Sequence, residues 1–264
     1  MNDMLRALWG YRHFVLSSIR NDLKIRFVRS KLGGLWMIIH PLLQVLIFAT
    51  ILSTVLSAKL PGIDNKYAYA LYLMSGTLCW SLFAETLSRC VTLFVDSGNL
   101  MKKMSFPRIC LPFIAGGTML VNNILLLFAI FLVFAALGHL PGLNALWLPV
   151  LMLITLSFAM SIGLLLGVLN VFMRDIGQVV PVVLQALFWL TPIVYNIRIL
   201  PEHVQGIFAL NPLYPLVTSY QNVLLYDKPP VWGGITWLLV ITLVVGPIAL
   251  LLFRRASSEM VDVL

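Results

Sequence analysis

Three cations stand close together in the stretch RFVRSKLGGLWMIIHPLL, which covers residues 26–43. Arg26, Arg29 and Lys31 come just before two glycines and a long apolar run. Closely spaced cations beside a membrane suit a dianionic group, because guanidinium and ammonium donors form charge-assisted hydrogen bonds with anionic oxygens. We therefore take these three side chains as a candidate anion-binding site.

The sequence lacks the motifs of common hydrolases and ATPases. It contains no H-E-x-x-H, no G-x-S-x-G and no Gly-Lys dipeptide, so neither a zinc-protease helix, a nucleophile elbow nor a phosphate-cradling loop is encoded. His40 has no second histidine or carboxylate at ligand spacing, and Cys79, Cys90 and Cys110 have no paired metal-ligand spacing. We expect a chain that is not an enzyme, with no catalytic residue, no metal site and no cofactor of its own.

The elements that position these residues are predicted to be membrane helices. Of the 264 residues, 60% are hydrophobic and 11% are charged, and the mean hydropathy is +0.96. Globular proteins carry about 25% charged residues, so most of this exterior is expected to face lipid. A bilayer is crossed by roughly 20 apolar residues. Such runs predict an all-α integral membrane protein with six transmembrane helices, at residues 34–57, 68–95, 110–137, 146–172, 178–196 and 232–253.

The distribution of lysine and arginine predicts the orientation of these helices. With both termini in the cytoplasm, thirteen cations lie inside, four lie outside, and Arg89 lies within the second span. The positive-inside rule favours this arrangement, and it accounts for the formal net charge of +8. Because no basic face interleaved with aromatics occurs in a soluble domain, we expect no nucleic acid partner.

The N-terminal residues 1–33 alternate apolar and basic positions at roughly helical spacing. Such a helix can lie in the cytoplasmic interface, with its apolar face at the acyl boundary and its cations near anionic headgroups. A helix that only satisfies the positive-inside rule is an open alternative. The whole chain, 1–264, is expected to form one transmembrane domain.

A stripe of small residues marks the fourth predicted span. Ala159, Gly163 and Gly167 recur at four-residue spacing, which lets a second helix approach closely. We favour packing within one subunit over a seam between two subunits.

The segment 197–230 is apolar and aromatic, but it is divided by prolines into pieces too short to cross a bilayer. Short apolar pieces at membrane depth are tolerated where protein or a cavity satisfies their backbone. We expect a pair of re-entrant half-helices on the outer side here, rather than a flexible extracellular loop.

Two charged residues fall inside the second predicted span. Glu85 and Arg89 are four residues apart, so they share one helical face and can form an ion pair. Because intramembrane charge is costly, we interpret them as an intramembrane ion pair, with a role in a polar path as the alternative.

A short amphipathic segment, 97–107, follows the second span and ends at a proline. Such a segment can dock as a helix in the groove of a soluble partner, although an ordinary basic loop explains it equally well. Its candidate docking residues are Asn99, Leu100, Lys102, Lys103, Met104, Phe106 and Pro107.

Four stretches, in order along nearly the whole chain, carry a family resemblance. They are RFVRSKLGGLWMIIHPLL, GNLMKKMSFPRICLP, LNVFMRDIGQVVPVVLQALFWLTPIVY and ALNPLYPLVTSYQNVLL. Together they resemble the signature regions of type-2 ABC exporter permeases that move lipid-linked polysaccharide, the O-antigen and teichoic acid branch.

The resemblance implies a multi-pass permease of the bacterial inner membrane that works as a homodimer with two copies of an ABC nucleotide-binding subunit. The ATP and Mg would be bound by that partner subunit. The substrate would be a polyprenyl-diphosphate-linked O-antigen polysaccharide, with teichoic acid or capsule polysaccharide as alternatives. By the same analogy, segment 97–107 is the coupling helix that contacts the ATPase, and segment 197–230 supplies the periplasmic gate.

Within this hypothesis, Arg26, Arg29 and Lys31 would attract the diphosphate headgroup. Aromatic rings would provide a low-specificity track for the C–H faces of sugars, although aromatic belts at lipid interfaces explain such residues equally well. A polyprenyl-lipid transferase and a passive scaffold are rival functions, disfavoured by the absent catalytic motifs and by the gate-like segment. The candidate channel aromatics are Trp36, Tyr72, Trp80, Phe83, Phe188, Trp189 and Tyr195.

Overall fold

The structure is a computed structural model that describes residues 9–28, 35–55, 68–103, 106–197, 201, 205–206, 208, 210–257 and 259–263. Helices make up the long elements of this part of the chain, and no β-strand occurs in it. The predicted all-α class is therefore confirmed for the described residues. The main helices are α1 (Arg12–Val28), α2 (Trp36–Val55), α3 (Ala68–Asp96), α4 (Gly98–Lys103), α5 (Cys110–Ala136), α6 (Leu148–Phe172), α7 (Ile176–Leu190), α8 (Tyr214–Leu225), α9 (Trp232–Ala256) and α10 (Glu259–Val263).

Four helical segments of the described chain are long and apolar enough to cross a membrane. They correspond to the second, third, fourth and sixth predicted spans. A long apolar run favours a helix in lipid, because a helix satisfies all of its backbone N–H and C=O groups internally. Their bounds are Ala68–Asp96, Cys110–Ala136, Leu143–Phe172 and Trp232–Ala256; the third of these includes a 3₁₀ turn, Leu143–Trp147, ahead of α6.

The fifth predicted span, 178–196, is too long at its C-terminal end. Helix α7 has 15 residues, which is about 22 Å of helix against a hydrocarbon core of about 30 Å. It ends at Leu190, and the C-cap residue Thr191 has an extended backbone (φ −108°, ψ 130°), because Pro192 disfavours a helical conformation in the residue before it. Helix α2 has 20 residues but is not among the four helical segments found long and apolar enough to cross a membrane, so six spans stay a prediction.

Helix α3 lies at the centre of the bundle, and α6 packs along it more extensively than any other pair of described helices. A Cβ atom added at Gly163 would lie 2.6 Å from Cys90 Cβ, and one at Gly167 would clash with the carbonyl oxygen of Cys90. Ala159, on the same stripe, is fully buried. The interpretation of this stripe as packing within one subunit is therefore confirmed.

The outer helices turn apolar side chains away from the bundle. Only 17% of the most apolar stretch of α9 is buried within the chain. Trp237, Leu243 and Leu251 on this helix are each more than 60% exposed. Such a surface is stable only in a non-aqueous environment, because exposed apolar area of this size in water is strongly unfavourable.

Helix α8 is a short helix that packs against α3 and α6. It begins with a proline in its first turn, where the missing N–H costs no hydrogen bond, and Tyr220 in its middle is fully buried. Ser219 Oγ accepts a hydrogen bond of 2.9 Å from the N–H of Val231. With 12 residues, α8 is too short to cross a bilayer, and its packing against protein fits the expectation for a re-entrant segment. The depth of α8 in a membrane stays a prediction.

Helix α1 lies against α5. The Ile19 side chain packs directly over Gly117, and the ring of Phe14 lies 5.5 Å from that of Phe106, centroid to centroid. The predicted N-terminal helix is therefore present over Arg12–Val28. Its placement in a membrane interface stays a prediction.

Candidate functional site

A cleft of about 360 Å³ opens between α2, α3 and α7. Aromatic rings and two amides make up most of its lining, and no charged side chain is among the lining residues. They are Gln44, Trp80, Ala84, Leu184, Gln185, Phe188 and Trp189.

The rings of this cleft hold one another in place. The centroids of Trp80 and Phe188 are 5.5 Å apart with the planes at 65°, and those of Phe188 and Trp189 are 5.6 Å apart at 82°. Edge-to-face pairs of this kind are favoured by the ring quadrupoles. Phe188 is buried, whereas Trp189 is 52% exposed, so Phe188 supports the site and Trp189 offers an open ring surface.

The two amides of the cleft come from different helices, Gln44 from α2 and Gln185 from α7. A glutamine amide offers two N–H donors and one carbonyl acceptor, so it can bind a hydroxyl group in either role. An uncharged cleft with open ring faces and amides has the chemistry that a sugar requires, with C–H faces against rings and hydroxyls against amides. The lining residues that the structure describes include no nucleophile, acid or base.

Asn170 fixes the start of α7 relative to the core. Its Nδ2 donates to the carbonyl oxygen of Val91 on α3 at 2.9 Å, and its Oδ1 accepts from the N–H of Gly177 on α7 at 2.8 Å. Since Asn170 itself belongs to α6, one buried amide joins three helices. Polar side chains at such interfaces stabilise membrane bundles.

Asn211 fixes the other end of α7. Its Nδ2 donates to Thr191 Oγ1 at 2.9 Å and to the carbonyl oxygen of Leu190 at 3.1 Å. The segment after α7 is held by a tyrosine on α3. The hydroxyl of Tyr72 donates to the carbonyl oxygens of Pro192 and Tyr195, each at 3.2 Å. The cleft wall is therefore anchored at both of its ends.

The structure brings three of the predicted channel aromatics together in the cleft: Trp80, Phe188 and Trp189. It places Tyr72 and Phe83 elsewhere, in the core, where they are 4% and 3% exposed. These two rings are not part of the cleft lining, because Phe83 stacks on Phe158 and Tyr72 faces the chain beyond α7.

The two remaining predicted aromatics lie outside the cleft lining. Trp36 begins α2 and is 51% exposed. The hydroxyl of Tyr195 donates to the carbonyl oxygen of Trp189 at 2.7 Å, so Tyr195 supports the cleft wall from beside it. Whether any of these rings contacts a substrate stays a prediction.

Sequence reasoning missed Gln44 and Gln185. The available signal was an amide within an otherwise apolar helix, which is costly in lipid and so indicates a polar partner or a cavity. An isolated amide in an apolar helix does not reveal which other amide shares its cleft, because Gln44 and Gln185 lie on separate helices.

The candidate anion-binding site falls outside the described part of the chain. The side chain of Arg26, and Arg29 and Lys31 entirely, are not among the described residues. Their role as a headgroup site stays a prediction.

The predicted coupling segment forms α4 and the turn after it. Asn99, Leu100 and Lys102 are exposed on α4, as docking to a partner requires. Phe106 instead packs on Phe14 of α1, and Pro107 is half-buried. The side chain of Lys103 and all of Met104 lie outside the described residues, and the docking role itself stays a prediction.

Arg89 forms an ion pair with Asp96, with Nη1 and Oδ2 separated by 3.3 Å. Both side chains are more than one-third exposed, so water weakens this pair. It lies in the last turns of α3, where Thr92 Oγ1 also donates to Asp96 Oδ2 at 2.8 Å. The predicted pairing of Glu85 with Arg89 stays a prediction.

The sequence is similar to polysaccharide export permeases over most of its length. It is 28% identical over 232 residues to the O-antigen export system permease protein RfbA of Myxococcus xanthus, covering 87% of each chain. It is 30% identical over 219 residues to the protein of the same name from Klebsiella pneumoniae, covering 81% of each. Polysialic acid transport protein KpsM of Escherichia coli is 21% identical, over 90% of this chain and 92% of its own.

The family profile of ABC-2 type transporters matches residues 14–225. The match begins in α1 and ends with the last residue of α8, so it includes all three helices that form the cleft. This is most of the chain. The chain therefore belongs to the ABC-2 type transporter family.

Proposed function

We propose that this chain is the transmembrane subunit of an ATP-driven exporter that moves polyprenyl-diphosphate-linked O-antigen polysaccharide across the bacterial inner membrane. The similarity to O-antigen export permeases over 81–87% of the chain carries the proposal. The cleft supports it, because open rings and uncharged amides suit a glycan and provide no catalytic group.

The proposed exporter is a homodimer with two copies of an ABC ATPase subunit, which binds the ATP and Mg. The exposed residues of α4, together with the half-buried turn that follows, would dock in that subunit. The family membership supports a separate ATPase subunit. The sequence adds a second support, since it contains no Gly-Lys dipeptide for a phosphate-binding loop.

We further propose six membrane spans with both termini in the cytoplasm. In this arrangement, α2 and the short α7 would complete the bundle, and α8 with the rest of segment 197–230 would form the periplasmic gate. The thirteen-to-four distribution of cations supports the orientation. The cations Arg26, Arg29 and Lys31 would collect the diphosphate while the polyprenyl tail stays in lipid.

A capsule polysaccharide is the second candidate substrate, and the similarity to KpsM favours it. Deletion of the gene distinguishes the two. We expect the deletion strain to accumulate a lipid-linked polymer in its inner membrane, and the composition of that polymer identifies the substrate class. A deletion strain with normal surface polysaccharide and no accumulated polymer would contradict the proposed function.

A further inference from the structure

Arg108 connects two parts of the chain that are 149 residues apart. It lies in the turn between α4 and α5, and its Nη1 donates to the backbone carbonyl oxygen of Ser257 and to Ser257 Oγ, the latter at 2.9 Å. Ser257 is the C-cap residue that follows the last residue of α9. The guanidinium is thus bound to the C-terminal end of the last long helix.

The chemistry of this contact favours an arginine. Carbonyl groups at a helix C-terminus lack intrahelical donors and carry partial negative charge. A cation that donates to one of them gains both a hydrogen bond and a favourable interaction with the helix dipole. The contact is partly buried, so water screens it less than it screens an exposed ion pair.

Apolar packing reinforces the same connection. Met101 on α4 and Met260 on α10 are 6% and 0% exposed and belong to one apolar cluster with Phe253 of α9. Helix α10 packs against α4, and Phe253 stacks on Phe94 of α3 with ring centroids 5.5 Å apart. Helix α4 therefore packs against α10 and its chain neighbour α3, and it shares one apolar cluster with α9.

We propose that Arg108 is a positioning residue that fastens the predicted coupling segment to the end of α9, so that a displacement of α4 moves α3 and α9 together. Both of these helices pack against α6, so the movement reaches the core of the bundle from two sides. This inference rests on the proposed function, because it assumes that an ATPase subunit acts on α4. A transition of this kind is a rigid-body movement of packed helices.

The test uses the full chain co-purified with its ATPase subunit and reconstituted in vesicles with lipid-linked polymer extracted from the deletion strain. Polymer moved per ATP hydrolysed is measured for the wild type, Arg108→Ala and Arg108→Lys. Arg255→Ala is the matched control, because Arg255 is an exposed cation at the same end of α9. Melting temperature and subunit ratio are measured for every variant.

We expect Arg108→Ala to lower the polymer moved per ATP by about fivefold or more, the scale of a typical coupling between sites, with ATP hydrolysis and subunit ratio retained. Arg108→Lys should recover part of the loss, since it keeps a cationic donor, and Arg255→Ala should match the wild type. An unchanged ratio in Arg108→Ala would overturn the inference. A lower melting temperature with an unchanged ratio would also overturn it, because the role would then be only structural.

If Arg108→Ala fails to assemble, Ser257→Ala replaces it. This variant removes only the hydroxyl acceptor and keeps the carbonyl, so a smaller fall in polymer moved per ATP is expected. Wild-type behaviour of Ser257→Ala in that case would overturn the inference. A wild-type complex that hydrolyses ATP without moving polymer would instead contradict the proposed function, so the two failures are distinguishable.

Discussion

The rings of Trp80 and Phe188 meet edge to face across α3 and α7, with their centroids 5.5 Å apart. Both rings line the cleft, and the neighbouring Trp189 extends the aromatic surface to a more exposed position. Since α7 is anchored at one end by Asn170 and at the other by Asn211, the ring surface is held in one position rather than assembled on a loose loop.

Replacing Trp189 by alanine should reduce export. The exposed ring is available to a passing sugar, and an aromatic contact is worth about 0.5–1.5 kcal/mol. We therefore expect the export rate to fall about two- to tenfold, measured as polymer moved into vesicles. Trp237→Ala is the matched control, because Trp237 is also more than half exposed but lies on the outer face of α9. Equal losses in both variants would contradict a role for the cleft.

Replacing Gln185 by leucine should also reduce export, because the leucine fills a similar volume but cannot bind a hydroxyl. One hydrogen bond contributes about 0.5–1.5 kcal/mol, which corresponds to about a two- to tenfold loss of rate. Gln178→Leu is the control on the same helix, since Gln178 is exposed and is not part of the cleft lining. Export at the wild-type rate in Gln185→Leu would argue against hydroxyl binding by this amide.

Replacing Gly167 by alanine should destabilise the bundle. The new Cβ would clash with the backbone carbonyl of Cys90, which cannot move without separating α3 from α6. Overpacking of this kind costs about 1–3 kcal/mol, measurable as a lower melting temperature in detergent. Gly233→Ala is the control, because a Cβ at that position meets no atom within 4 Å. Equal stability of the two variants would contradict the close packing.

Replacing Arg26, Arg29 and Lys31 together by glutamine should abolish export. The three cations are proposed to collect the diphosphate, and neutral amides lack the charge-assisted hydrogen bonds that a dianion requires. Membrane insertion and binding of the ATPase subunit should be retained, measured by fractionation and co-purification. Arg254→Gln combined with Arg255→Gln is the control for loss of cytoplasmic charge. Normal export in the triple variant would end the hypothesis.

The sequence was sufficient to predict the long helices, because apolar run length and lipid thickness decide them locally. It also contained the signal that ends α7, since Thr191 precedes a proline, although the predicted span ran past it. The contact between Arg108 and Ser257 and the presence of Gln44 and Gln185 in one cleft could not be predicted. Each depends on how distant helices rotate and pack, which no local pattern determines.

Transport in vesicles shows whether this chain and its ATPase subunit move lipid-linked polymer across a membrane. The wild-type chain and its ATPase subunit are reconstituted with lipid-linked polymer, and the polymer that becomes accessible on the opposite leaflet is measured with and without ATP. We expect transfer that requires ATP and is lost when the ATPase subunit is left out. Transfer at the same rate without ATP, or ATP hydrolysis with no transfer, would contradict it.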